Sequence, residues 1–234
     1  MDGPLKGYLW STRSNYDYIL GTYENPVILE ECRKWFKADT VFYDLGANIG
    51  FYALLANRFI TTGKIYSFEP VSFVRDQFEK HLELNKNLIG SDNIRLMPFA
   101  ISDGEKEISF SADKDQTEGN TYILSSPFFK TGKKTTLVKS YSIDELIQQG
   151  YDKPDIIKID VEGAEYDVLK GAAETIRQFT PRIILATHDC HLPGVKDNCI
   201  RCLEGMGYIL KDMGNYNIHF PGLDNFIAVH KSRI

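Results

Sequence analysis

From Asp39 onward, short runs of β-branched and aromatic residues alternate with longer segments whose apolar positions recur every three to four residues. That alternation predicts βαβ units around a mostly parallel sheet. Val41-Phe42-Tyr43-Asp44 forms the first strand. After Gly46-Ala47-Asn48-Ile49-Gly50, Tyr52, Leu55, Ala56 and Phe59 recur at helical spacing, and Thr61-Thr62-Gly63 ends the pattern. Residues 64–68 form a second strand, residues 72–87 a helix with Phe73, Val74, Phe78, Leu82 and Leu84 on its apolar face, and residues 93–99 a third strand. Between 102 and 137 the helical period disappears, and 107–110, 121–124 and 135–138 are predicted as short strands of an insertion over a site. The rhythm then resumes with a helix at 142–149, a strand at 155–160, a helix at 164–178 and a strand at 182–187. A last helix at 195–206 leads into strands at 208–211 and 226–230, separated by the turn residues Gly214, Asn215, Pro221 and Gly222. An antiparallel pair at the end gives the sheet a reversed edge.

A chain of 234 residues suits one large α/β domain. The expected division is an N-terminal packing or substrate segment at 1–38 and a core at 39–234 with the insertion at about 102–138. Tyr8, Trp10, Tyr16, Tyr18 and Tyr23 of the first segment either pack over the sheet edge or wall a substrate pocket.

Charge narrows the class of partner. Lys plus Arg total 27 against 32 for Asp plus Glu, a net charge of -5 that gives no global attraction to phosphate backbones or anionic lipid. Nucleic acid is therefore not an expected partner. No apolar run approaches the ~18 residues of a membrane span, and residues 1–7 show no basic stretch leading into an apolar one, so a cytoplasmic protein with no membrane insertion is expected. Four cysteines, Cys32, Cys190, Cys199 and Cys202, are too few for a disulfide scaffold.

The chemistry concentrates where the first strand runs through Asp44-Leu45-Gly46-Ala47-Asn48-Ile49-Gly50 into a helix. Ligands of open α/β sheets bind outside the carboxyl ends of strands at such turns. A dinucleotide fingerprint would require glycine where Asn48 and Phe51 stand, and bulky Phe51 opposes close helix–strand packing. A carboxylate at Asp44 repels a pyrophosphate but suits a sulfonium or ammonium group, which favours S-adenosylmethionine over NAD. Glu69 ends the second strand, nineteen positions after Gly50, where a carboxylate can accept both hydroxyls of an adenosine ribose.

These residues, together with Phe68-Glu69-Pro70 and Ile157-Lys158-Ile159-Asp160-Val161-Glu162-Gly163-Ala164-Glu165, resemble the FkbM-type family of S-adenosylmethionine-dependent class I methyltransferases over roughly 23–189. The resemblance implies a Rossmann-like, seven-stranded, mostly parallel sheet of order 3-2-1-4-5-7-6 with helices on both faces. It implies S-adenosylmethionine as cofactor, S-adenosylhomocysteine as product, and O-methylation of a sugar, glycan or natural-product small molecule. Carried over by position, it assigns Asp44, Gly46, Ala47 and Asn48 to the methionine end, Glu69 to the ribose, Ala100, Ile101 and Ser102 to the adenine, and Asp160 to the methyl-transfer zone. Glu162 begins the turn into the next helix.

In-line transfer to an oxygen aligns donor and acceptor and disposes of the hydroxyl proton. Asp160 and His188 close neighbouring strands in this topology, and His188, with an ordinary pKa of about 6.5, is the preferred base. The bland alternatives are a strand-end histidine bonded to backbone, and an Asp160 that pairs with Lys158 or caps a helix. Asp160, Glu162, His188 and Asp189 could together hold a divalent metal, although the spacing does not demand one and no metal is predicted. Cys190-His191 and Cys199-Ile200-Arg201-Cys202 contain zinc-ligand types, but Cys199 and Cys202 also suit a helix core. Asn120 could face the acceptor or sit in a turn, and Lys130-Thr131-Gly132-Lys133-Lys134 could steer an anion or form a solvated tip. An N-methyltransferase and a non-catalytic nucleoside- or zinc-binding module are the competing functions. Oligomeric state leaves no trace in the sequence.

Overall fold

The computed structural model describes residues 3–11, 14, 16–90, 92–112, 121–123, 135–215 and 222–234. Seven strands form the central sheet: β1 (Val41–Leu45), β2 (Lys64–Phe68), β3 (Ile94–Met97), β8 (Ile156–Ile159), β9 (Arg182–His188), β10 (Tyr208–Gly214) and β11 (Leu223–His230). Their order, β10-β11-β9-β8-β1-β2-β3, is the order 3-2-1-4-5-7-6 in the chain order of these seven, with β11 antiparallel to β9 and β10. A second sheet, β4-β7-β5-β6, is built from β4 (Ala100–Ile101), β5 (Lys106–Ala112), β6 (Thr121–Ile123) and β7 (Thr135–Tyr141). This is the expected α/β class with a small β insertion. Asn120 and residues 130–134 lie outside the described residues.

Successive strand residues point to opposite faces, and the core is split accordingly. Phe42 of β1 joins a cluster with α2 (Pro26–Trp35), α3 (Phe51–Asn57) and α4 (Ser72–Leu84). Tyr43 and Leu45 join one with α5 (Ile143–Gln148), α6 (Glu165–Gly171), α7 (Ala173–Phe179) and α8 (Val195–Gly205). Asp44 therefore shares the face of Phe42, α2 and α3.

Three boundaries differ from the periodicity for tertiary reasons. Residues 93–99 do not stay one strand: β3 stops at Met97, and Ala100–Ile101 pairs instead with Ser140 and Tyr141 of β7. The helix at 164–178 breaks at Ala172 into α6 and α7, because Asp144 of α5 accepts hydrogen bonds from the amides of Glu174 and Thr175 and so caps α7 from outside. The last two strands are longer than their apolar runs because ladder pairing continues past them, with one register shift between Asp212 and Gly214.

The N-terminal segment contains α1 (Tyr16–Leu20) and α2. The rings of Trp10, Tyr18 and Tyr23 lie 6.5, 5.8 and 4.9 Å from that of Phe51, so the residue that departs from the dinucleotide fingerprint anchors this segment to α3. Buried His81 of α4 adds a polar tie: Nε2 accepts from the amide of Ser11 and Nδ1 bonds the carbonyl of Ile49. No helix among the described residues is long and apolar enough to cross a membrane.

Candidate active site

The turn after β1 is hooked onto the end of β2. The amides of Gly46 and Ala47 both donate to the carbonyl of Phe68, at 3.1 and 3.0 Å. Gly46 has φ +73°, and a Cβ there would stand 1.8 Å from the carbonyl oxygen of Asp160, so only glycine lets the turn approach β8. Asn48 holds φ 48°, a left-handed conformation that asparagine tolerates better than most residues. Its amide donates to Glu69 Oε2 at 3.1 Å, while Glu69 Oε1 accepts from the amide of Val71 at 2.9 Å. Glu69 thus spans the ends of two strands. Burial raises its carboxyl to about 7 despite those two hydrogen bonds.

Beneath this turn lies a chain of alternating charge. Asp44 is fully buried, and Lys158 Nζ stands 3.5 Å from its Oδ1, 3.2 Å from Asp160 Oδ2 and 3.2 Å from the carbonyl of Gly46. The ammonium also lies over the Tyr52 ring, 5.0 Å from its centroid. Tyr52 donates its hydroxyl proton to Glu24 Oε2 at 2.5 Å, which brings the N-terminal segment to the same place. Burial raises the Asp44 carboxyl even against Lys158, and raises that of Glu24. Lys158 stays charged: burial works against it, but Asp160 and Asp44 raise its pKa above the ordinary lysine value.

The third group is formed by the ends of β8 and β9. His188 Nδ1 is 2.7 Å from Glu165 Oε1, and its Nε2 is 3.5 Å from both Asp160 Oδ1 and Glu162 Oε2. Glu162 lies on a left-handed backbone at φ 57°, followed by Gly163 at φ 109°, and the amide of Gly163 is held by Glu165. Burial disfavours charge on His188, yet Glu162, Glu165 and Asp160 overcome it and push the imidazole up to about 10. The imidazole thus departs from the ordinary pKa on which its choice as base rested. Burial also opposes ionisation of Asp160, but Lys158 and His188 hold its carboxyl below the usual range.

The structure therefore unites Asp44, Gly46, Ala47, Asn48 and Glu69 at one turn, and Asp160 with His188 beside it. Ala100, Ile101 and Ser102 start the second sheet; Ser102 is engaged with the carbonyl of Tyr141 and with Asp103. Asp189 leaves the cluster imagined for it and accepts from the amide of Lys196 at the start of α8. Among the described residues, the one group of metal-ligand atoms all within 4.8 Å of one another is Asp160, Glu162 and His188, with no cysteine in it. Cys199 is buried in the core against β9 and β10. The Asp160–Lys158 pair offered as the bland alternative is present, whereas sequence reasoning missed that Lys158 also reaches Asp44 and that Glu165 partners His188, and it missed Glu24. A lysine in an otherwise apolar Ile156–Ile159 strand was the available signal for the first, whereas Glu24 carried none.

Comparison with known proteins places the chain. Residues 44–210 match the family described as the Methyltransferase FkbM domain. Over 152 residues it is 30% identical to the hexuronic acid methyltransferase AglP of Haloferax volcanii, covering 64% of this chain and 56% of that protein. It is 25% identical over 191 residues to methyltransferase sdnD of Sordaria araneosa, covering 70% of this chain and 72% of the relative. A crystal structure of methyltransferase FkbM from Methylobacillus flagellatus KT superposes with a TM-score of 0.59 at 18% identity, over 83% of this chain and 44% of that one, and shows the shared fold. The chain thus spans little more than half of the archaeal relative and less than half of that crystallised protein.

Proposed function

The chain belongs to the FkbM methyltransferase family, and we propose that it transfers the methyl group of S-adenosylmethionine to a hydroxyl oxygen of a sugar, glycan or natural-product small molecule. The observation that carries this reading is the meeting of the Gly46–Asn48 turn and Glu69 with Asp160 and His188 at the carboxyl ends of four adjacent strands, β2-β1-β8-β9. The turn holds the methionine end of the donor, and Glu69 accepts the ribose hydroxyls, exchanging its bond to the turn for bonds to the nucleoside. Asp44 and Asp160 with Lys158 between them sum to one negative charge, a field that suits a sulfonium cation better than a pyrophosphate. Asp44 acts through Lys158 and the turn rather than by contact, since it is fully buried.

In the transfer, an acceptor oxygen lone pair forms the new C–O bond as the C–S bond breaks and its electron pair neutralises the sulfonium. The hydroxyl proton passes to the ionised, partly exposed Asp160 carboxylate. His188, charged and fixed by Glu165, orients Asp160 and the acceptor. A methyltransferase of hexuronic acid among the relatives makes acidic sugars the first acceptors to try. The test is incubation with methyl-labelled S-adenosylmethionine and a panel of uronic acids, neutral sugars and amines. Label in a methyl ether with release of S-adenosylhomocysteine supports the reading; label on nitrogen would replace it with N-methylation, and turnover with none of the panel while NAD is reduced would overturn it.

A further inference from the structure

We propose that Asp160, Glu162 and His188 form a divalent-cation site at the acceptor end of β8 and β9, with Glu165 as the positioning residue of its imidazole ligand. The proposal rests on the methyl-transfer reading of this cleft and deepens it, since such a cation would bind the acceptor oxygen.

The spacing is that of ligands about to share an ion. Donors bound at about 2.1 Å to one metal stand roughly 3.0–3.5 Å apart at right to tetrahedral angles. His188 Nε2 is 3.5 Å from a carboxylate oxygen of Asp160 and 3.5 Å from one of Glu162. All three ligand atoms lie within 4.8 Å of one another, so an ion would draw the two carboxylates together and take Glu162 Oε2 from His191 Nδ1, now 3.0 Å away.

A second feature, the burial and orientation of the imidazole, points the same way. His188 is only 5% exposed, and its Nδ1 is committed to Glu165, itself fully buried. Nε2 is thereby aimed at the two carboxylates and makes no hydrogen bond of ordinary length. Metal-ligating histidines characteristically bond their other ring nitrogen to a carboxylate in this manner, which fixes both ring orientation and tautomer. Glu165 also holds the amide of Gly163, so the same side chain sets the turn that carries Glu162.

The donor set of two carboxylates and one imidazole suits a cation of intermediate hardness such as Mn²⁺. The side chains of Asp160 and Glu162 are 26% and 27% exposed, so solvent reaches the site and water or an acceptor hydroxyl could take the remaining positions. Ligation by Nε2 expels the second ring proton of His188. With the ion in place, a hydroxyl bound to it would lose its proton more readily, and solvent would take that proton in place of Asp160, whose carboxylate would then be a ligand.

The experiment is a titration of the full chain with Mn²⁺, reading the electron-paramagnetic signal of free ion, with and without S-adenosylhomocysteine. One bound ion per chain is expected, weakened at least tenfold by Glu162→Gln and by His188→Gln, and about tenfold by Glu165→Gln. Glu162 is the safer ligand variant because removing Asp160 leaves Lys158 under-compensated; circular dichroism checks that each variant is folded. No bound Mn²⁺ at millimolar concentration, or equal binding in a folded Glu162→Gln, would overturn the site. Nucleoside binding without Mn²⁺ binding would overturn the site and leave the donor reading standing. Mn²⁺ binding without nucleoside binding would support the site and count against the donor reading.

Discussion

The turns that close β1 and β8 lie against each other and share a backbone device. Each holds a non-glycine residue in the left-handed region, Asn48 at φ 48° and Glu162 at φ 57°, and each has a glycine at positive φ, Gly46 and Gly163. Their chemistry differs. The first turn is fixed by its own amides, which donate to Phe68 and Glu69. The second presents carboxylates and an imidazole whose Nε2 remains 3.5 Å from its neighbours. The first turn is held by backbone amides and the second by ion pairs, Asp160 with Lys158 and Glu162 with His191. Lys158 stands between them, bound to both Asp44 and Asp160. Binding of the donor and activation of the acceptor should therefore be separable by mutation.

The strongest disruption is expected from Gly46→Ala. A Cβ 1.8 Å from the Asp160 carbonyl, on a backbone at φ +73°, forces the two turns apart. Nucleoside binding should vanish and the thermal midpoint should fall by several degrees; a normal midpoint with normal binding would dissolve the comparison. Lys158→Met comes next, because it leaves the Asp44 carboxylate buried without its cation. A loss of about 3–5 kcal/mol is expected in denaturant unfolding, and adding Asp44→Asn should restore part of it. Equal stability of the single and double variants would show that Lys158 is not the strut between the turns.

His188→Gln separates the two turns by function. Turnover should fall by about 10²-fold or more while affinity for S-adenosylhomocysteine stays within twofold. A parallel fall in nucleoside affinity would mean that the second turn belongs to the donor cradle.

Glu69 gives the smallest effect and the one with a pH signature. Its carboxyl, at about 7 in the fold, is protonated more readily than the ordinary 4.5. A carboxyl raised by folding stabilises the fold fully below about 4.5 and loses that contribution as pH rises through about 7. Ribose hydroxyls donate to the ionised form, so nucleoside affinity should run the other way and increase as pH passes through 7. Glu69→Gln should lose about tenfold in affinity at pH 8 and flatten both dependences. A wild-type affinity that is flat from pH 6 to 8 would remove Glu69 from the ribose site.

Much of this arrangement is local and could be read before the fold was known. The strand-turn-helix around Asp44–Gly50 and the strand end at Glu69 are set by residues within a few positions of one another, and the parallel order follows from the βα rhythm. What escaped the sequence is long-range. Lys158 matters because β8 pairs with β1 and brings it opposite Asp44. The imidazole of His188 leaves its ordinary range because Glu162, Glu165 and Asp160, all more than twenty positions earlier, surround it. The break between α6 and α7 comes from Asp144, thirty positions before Glu174. Glu24 reaches the site through the docking of the N-terminal segment, whose aromatic rings pack on Phe51 and whose Asn25 side chain donates to the carbonyl of Met213, tertiary events with no period of their own.

The most direct test of the donor cradle is calorimetric titration of the full chain with S-adenosylhomocysteine at pH 8, beside NAD and beside Glu69→Gln. The account predicts one saturable nucleoside site, weakened about tenfold in Glu69→Gln, and no heat with NAD. No saturable heat with S-adenosylhomocysteine, or the same affinity in wild type and Glu69→Gln, would contradict it.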